Sequence, residues 1–321
     1  MERLNYIDIA KGLGIIFVVM GHVTHDYLLR QYFYNFHMPL FFFISGLLLS
    51  TKLDVSAHLK RRVKSIIVPY IVFFLLTYLY WFLVECRYRG ADLDSGEQFF
   101  SLFRGAGMDF NGPLWFLPCL FVVDTISYTF IKRFDNWMYI FAFVLFAFVL
   151  GIVLQENIVF DLPWGIKPAM YGIVFYCIGY LSKQVIGHFQ TKYGLILLIC
   201  VLCIAIQVLN LDKVFGSMSN ASIGFMGLAF IGILLTFELS FLIKKSRFLE
   251  FIGGGSLIIL VLHGQLERIV IFAISKLGHL DVECIRSGYV LSIAVSMLTI
   301  VMICPVISLW NNTINQWIRK K

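Results

Sequence analysis

Met138-Tyr-Ile-Phe-Ala-Phe-Val-Leu-Phe-Ala-Phe-Val-Leu-Gly-Ile-Val-Leu154 contains no charged side chain. A helix that crosses a bilayer needs about 20 mostly apolar residues, because lipid offers no partner for an unpaired backbone amide. This stretch therefore reads as a membrane span, and the rest of the chain agrees with it. Of 321 residues, 60% are hydrophobic, 17% aromatic and only 14% charged. Soluble domains carry about 25% charged residues. The composition excludes a cytosolic enzyme, a secreted module, a disordered chain and a nucleic-acid binder. The net charge of +7 matters less than where the cations sit.

Working outward, ten segments qualify as spans: Ile7–Thr24, Phe36–Leu49, Ser65–Val84, Leu114–Ile131, Met138–Leu154, Ala169–Ile186, Gly194–Leu211, Ile223–Ile243, Leu257–Ile274 and Gly288–Trp310. The fold expected is an all-α polytopic membrane protein of about ten transmembrane helices. It forms a single membrane-embedded domain over residues 1–321, with both termini cytoplasmic. The first span carries Lys11 early and lacks a clear small-x-small site after it, so it is not expected to be a cleaved signal.

Orientation follows the excess of Lys and Arg on cytoplasmic loops. With the N-terminus inside, the cytoplasmic side holds Arg3, Lys11, Lys52, Lys60, Arg61, Arg62, Lys64, Lys132, Arg133, Lys183, Lys192, Lys244, Lys245, Arg247, Arg319, Lys320 and Lys321. These are 17 of the 26 basic residues, and the opposite orientation inverts the bias. The longest loop, Glu85–Gly112, then falls outside. Five of the seven cysteines lie in apolar runs, where thiols behave as small hydrophobes. Cys86 and Cys284 either pair in an oxidising compartment or stay free. No Cys/His spacing points to zinc. No internal repeat is evident.

Ionisable groups at membrane depth are costly and point to function. Lys11 and His22 are eleven residues apart. At 100° per residue this is about 20° past three turns and about 16 Å along the axis, so the two share one face. Lys11 alone also reads as a snorkelling anchor, and His22 alone as an interhelical hydrogen-bonding group. His37 is placed at the outer start of the second helix, at a depth similar to His22. A neutral imidazole, with an ordinary pKa of about 6.5, can take a proton from an alcohol. His22, Lys11 and His37 are therefore the catalytic candidates.

Ser45 and Gly46 follow on the same helix, where small residues let helices approach. Lys60-Arg61-Arg62-Val63-Lys64 fits positive-inside topology. Arg61 and Lys64, three apart, also fit a polyphosphate clamp. Trp115 sits in the proline-marked start of the fourth span and also reads as an aromatic-belt residue. Gly253-Gly254-Gly255 reads as a flexible lead into the ninth span. His263 and Glu267 share a face at i and i+4. Asp124 and Glu238 are further intramembrane acids, whose partners the sequence leaves open.

Together these residues resemble the acyltransferase-3 family of integral membrane acyltransferases. Lys11-x10-His22 is similar to its Arg/Lys-x10-His pattern, and Phe41-Phe42-x-x-Ser45-Gly46 to its second-helix motif. Arg61-x-x-Lys64 with Pro69-Tyr70 is similar to its Arg-x-x-Arg segment, with Lys in place of the final Arg. Leu114-Trp115-Phe116-Leu117 and Ser256…His263 also match, and the fucose 4-O-acetylase-like branch is nearest. The resemblance covers essentially the whole chain. It implies a multi-pass enzyme of the bacterial inner membrane that moves an acetyl group from cytoplasmic acetyl-CoA, with no metal. The acceptor implied is a hydroxyl of a cell-surface polysaccharide or lipid-linked sugar. His22 would be the catalytic histidine, Lys11 its same-face partner, and Arg61 and Lys64 would lie near the CoA phosphates. Lysine cannot offer the planar fork of arginine, which weakens that clamp. Many members carry a fused extracytoplasmic domain, which is not expected here. A transporter or flippase of a lipid-linked glycan, a non-catalytic scaffold, and a succinyl rather than acetyl transferase are the alternatives.

Overall fold

The computed structural model describes residues 5–88, 93–184 and 222–312, with Gly194 and Met218. The described residues are helical and contain no strand. The helices are α1 (Asn5–Val23), α2 (Tyr27–Leu47), α3 (Val55–Glu85), α4 (Ser95–Arg104), α5 (Gly112–Arg133), α6 (Trp137–Asn157), α7 (Ile166–Leu181), α8 (Ile223–Ile243), α9 (Arg247–Gly254), α10 (Ser256–Gly278), α11 (Val282–Ser287) and α12 (Tyr289–Asn312). Among them α1, α3, α5, α6, α8, α10 and α12 are long and apolar enough to cross a membrane. α2 carries Arg30, Gln31, Asn35 and His37, and α7 has 16 residues. The protein is a polytopic helical membrane protein. The segment expected at Gly194–Leu211 lies outside the described residues, apart from Gly194.

Helix starts follow capping chemistry. Asp54, Asp94, Asn136, Ser222 and Ser246 each accept a backbone N–H of the following first turn, which satisfies donors that have no intrahelical partner. Glu250, four residues on, returns the favour by accepting the Ser246 N–H at 3.2 Å. α3 runs 31 residues and passes through π turns at Val63–Ile67 and Trp81–Glu85. The loop expected at Glu85–Gly112 contains α4, whose left-handed cap is Gly105 at φ 66°.

The chain divides into two compact units. One joins Met1–Leu47 with Ile178–Trp310, and the other joins Leu48–Cys177 with Asn311–Lys321. In the first unit α1 packs on α2, α8, α9 and α10. The glycine run at 253–255 is not the flexible lead the sequence predicts. Gly253 and Gly254 lie within α9, and a Cβ at Gly253 would strike the Asp8 carbonyl oxygen. The glycine is there because two backbones meet. In the second unit α5 packs on the π turn of α3. Cys86, Cys119, Cys177, Cys284 and Cys304 are all free thiols.

Candidate functional site

His22 lies in the last turn of α1 and is half-buried. Its Nδ1 is 3.1 Å from the Tyr34 hydroxyl of α2, and Arg30, one turn earlier, lies 5.4 Å over the Tyr34 ring. On the other side, the His263 ring of α10 sits 5.0 Å from the His22 ring. His37 joins through Tyr34, ring to ring at 5.1 Å. α2 begins at Tyr27, so His37 lies ten residues into the helix and not at its start. The apolar pattern hid this, because the first turns of α2 are polar.

Two of these imidazoles have their tautomers fixed. A carbonyl only accepts, so the nitrogen facing it carries the hydrogen. The His37 Nδ1–H donates to the Phe33 carbonyl. The His263 Nδ1–H donates to the carbonyls of Ile259 and Leu260, at 3.0 and 2.9 Å. In the neutral ring each Nε2 is then an acceptor. That of His263 is buried with no hydrogen-bond partner among the described residues.

Two residues of this cluster were not singled out in the sequence. Tyr34 is hidden within an aromatic run. Arg286 belongs to α11, a short polar helix between two apolar ones, and its Nη1 donates to the carbonyls of His22 and Val23 at 3.1 and 3.2 Å. Its Nη2 lies 3.5 Å from Glu267 Oε1, so the His263/Glu267 face noted from spacing touches His22 on one turn and Arg286 on the next. The only sequence signal for Arg286 is a cation in a short polar stretch beside a span.

The other expected residues take these positions. Lys11 is partly exposed and lies 3.7 Å from Asp8. The Ser45 hydroxyl donates to its own helix at the Phe41 carbonyl, 2.7 Å away, and Gly46 is buried beside it. Trp115 is half-buried at the start of α5. Glu238 is buried on α8 and has no ion pair among the described residues.

Arg61 and Lys64 belong to the second unit, and both are exposed on α3. Arg62 between them turns inward. It lies 2.6 Å from Asp124 Oδ1, while His58 Nε2 lies 2.5 Å from Asp124 Oδ2 and the Tyr176 hydroxyl donates to Oδ1 at 2.6 Å. His58 also stacks on Tyr128 at 3.6 Å and 3°. Asp124 thus finds its partner in the basic run, which the sequence read only as topology or clamp.

Chemically, the first unit sets the half-buried His22 beside two buried imidazoles whose Nε2 atoms are acceptors. This is equipment for moving a proton from a hydroxyl. The sequence profile described as "Acyltransferase domain" matches residues 4–309. The chain is 26% identical over 192 residues to Nodulation protein NolL of Mesorhizobium japonicum, and 30% identical over 199 residues to Nodulation protein NolL of Sinorhizobium fredii. Each match covers 56% of this chain and 48% of the relative, so the matched region spans about half the length of those proteins. No solved structure is significantly similar to the chain. With a match running from the start of α1 into α12, the chain belongs to the acyltransferase-3 family of acyltransferase domains.

Proposed function

We propose that the protein is an O-acetyltransferase of the bacterial inner membrane. It moves the acetyl group of cytoplasmic acetyl-CoA to a hydroxyl of a cell-surface polysaccharide or lipid-linked sugar. The observation that carries this reading is His22, a half-buried residue whose Nδ1 faces the Tyr34 hydroxyl at 3.1 Å. When Nδ1–H donates to Tyr34, the lone pair is on Nε2, which takes the proton of the sugar hydroxyl. The alcohol oxygen attacks the thioester carbonyl carbon and the C–S bond breaks. The proton held by His22 then passes to the departing thiolate. Lys11 and His37 complete the catalytic set, and the exposed Arg61 and Lys64 hold the phosphates of the donor. Trp115 and Glu238 serve as accessory residues.

The test gives radiolabelled acetyl-CoA to membranes containing the protein and follows label into surface glycan. His22→Ala, at normal protein level, is expected to lower transfer by about 10²–10⁴-fold, the usual worth of a general base. Unchanged label in that variant removes His22 from the chemistry. Labelled succinyl-CoA run in parallel decides the acyl group. Arg61→Ala and Lys64→Ala are expected to raise the KM for acetyl-CoA and leave acceptor use alone. A shift in acceptor KM instead would displace the clamp.

A further inference from the structure

The last four carbonyls of an α-helix have no partner within the helix. At the end of α1 one is used by the Thr24 N–H, which donates to the Met20 carbonyl at 2.9 Å. The last two, those of His22 and Val23, are met by a side chain 264 and 263 residues away, that of Arg286. The His25 N–H donates in return to the Arg286 carbonyl at 3.0 Å. A guanidinium is well suited to this place. It presents several donors in a rigid plane, and a cation is favoured at the negative end of a helix dipole.

The arginine is itself held. Its side chain is 15% exposed and that of Glu267 is 8% exposed, with the two 3.5 Å apart. Glu267 lies one turn beyond His263 on α10. The same helix face therefore sets His263 against the His22 ring and, through Glu267, sets Arg286 against the His22 carbonyl. The ring and the backbone of one residue are fixed by one neighbouring helix.

We propose that Arg286, braced by Glu267, is a positioning residue for His22: it pins the last turn of α1 so that the imidazole keeps a fixed place and direction. This rests on His22 being the base. A displacement of about 1 Å at a reacting group can cost about 10²-fold in rate, and a last turn without its clamp is free to fray by that much. The imidazole is attached at the very residue whose carbonyl is held.

The experiment measures transfer from labelled acetyl-CoA to endogenous glycan in membranes, per mole of folded protein, with thermal unfolding as the control for folding. Arg286→Ala is expected to lower the rate at saturating acetyl-CoA by about 10²-fold, with the KM for acetyl-CoA within twofold. Arg286→Lys keeps the charge and one or two donors, and is expected to recover to within about tenfold of the parent. Glu267→Gln is expected to lower the rate to a smaller degree, again at constant KM. Glu283→Gln breaks only the exposed His25–Glu283 pair (2.9 Å) in the same region, and is expected to leave transfer unchanged. A purely structural arginine gives a different result. The loss would then track the loss of folded protein, and the rate per folded molecule would be the parent's in Arg286→Ala. That result overturns the proposal, as does full activity in Arg286→Ala. Should the alanine variant not accumulate, the lysine and glutamine variants decide, and parent-like rates in both overturn it. If the parent protein itself transfers no label, the failure lies with the acetyltransferase reading and not with the clamp.

Discussion

Asp124 shows what a buried charge demands of its neighbours. It is 1% exposed and meets Arg62, His58 and Tyr176 at 2.5–2.6 Å. Breaking a buried ion pair from one side leaves the other charge uncompensated, at about 3–5 kcal/mol. Asp124→Ala is therefore expected to lower stability by about that much, read as a fall in the thermal midpoint in detergent. A midpoint equal to the parent's would mean Arg62 escapes to water. Tyr34 makes a second case, in function. It is the group that faces Nδ1 of His22, and Tyr34→Phe removes the oxygen without changing the ring. A fall in acetyl transfer of about 10- to 100-fold is expected at unchanged protein level, and parent-like transfer would show that the tautomer is set elsewhere. Which residues were legible follows from the same physics. Lys11, His22 and His263 stand out because ionisable groups among apolar residues are rare. Tyr34 and Arg286 do not, because an aromatic in an aromatic run and a cation in a polar turn look ordinary until a partner distant in sequence is brought to them.

At the scale of the helix, apolar runs gave boundaries close to those observed for several spans, although α3 begins at Val55 and not at Ser65. Ile223–Ile243 was read as it stands, and Met138–Leu154 sits inside Trp137–Asn157. The miss at α2 came from its polar opening, Arg30, Gln31 and Asn35, which an apolar count passes over. The miss at α9 came from reading three glycines as slack. Glycine serves two opposite ends in a helix, and the structure separates them. At Gly253 a Cβ would meet the Asp8 carbonyl, whereas at Gly227 of α8 nothing lies within 4 Å. Gly253→Ala must push α9 away from α1 or distort both, so destabilisation of about 1–3 kcal/mol, typical of overpacking, is expected. Gly227→Ala removes only chain entropy from the unfolded state and is expected to stabilise by about 0.5–1 kcal/mol. Thermal midpoints of the pair should move in opposite directions. A common direction would mean that close approach does not explain Gly253.

For the molecule as a whole, the distribution of charge makes the claim that contact geometry does not. Cations are costly to translocate, so loops rich in Lys and Arg stay inside. The hairpin between α2 and α3 carries Lys52, and the start of α3 carries Lys60, Arg61, Arg62 and Lys64. The stretch between α3 and α5 carries Asp92, Asp94, Glu97 and Asp109, against Arg87, Arg89 and Arg104. One passage of α3 separates the two, so they must face opposite sides if α3 spans. The donor proposed for this enzyme carries phosphates and is made in the cytoplasm, which requires the Arg61 side to be that side. A reporter active only in the cytoplasm is expected to work when fused after Thr51 and to fail near Asp94, with an externally active reporter giving the reverse. If the Thr51 fusion reads as external, the basic run faces away from the donor pool. The proposed donor site at Arg61 and Lys64 then falls with the orientation, while the histidine cluster, which depends on packing within its own unit, would stand.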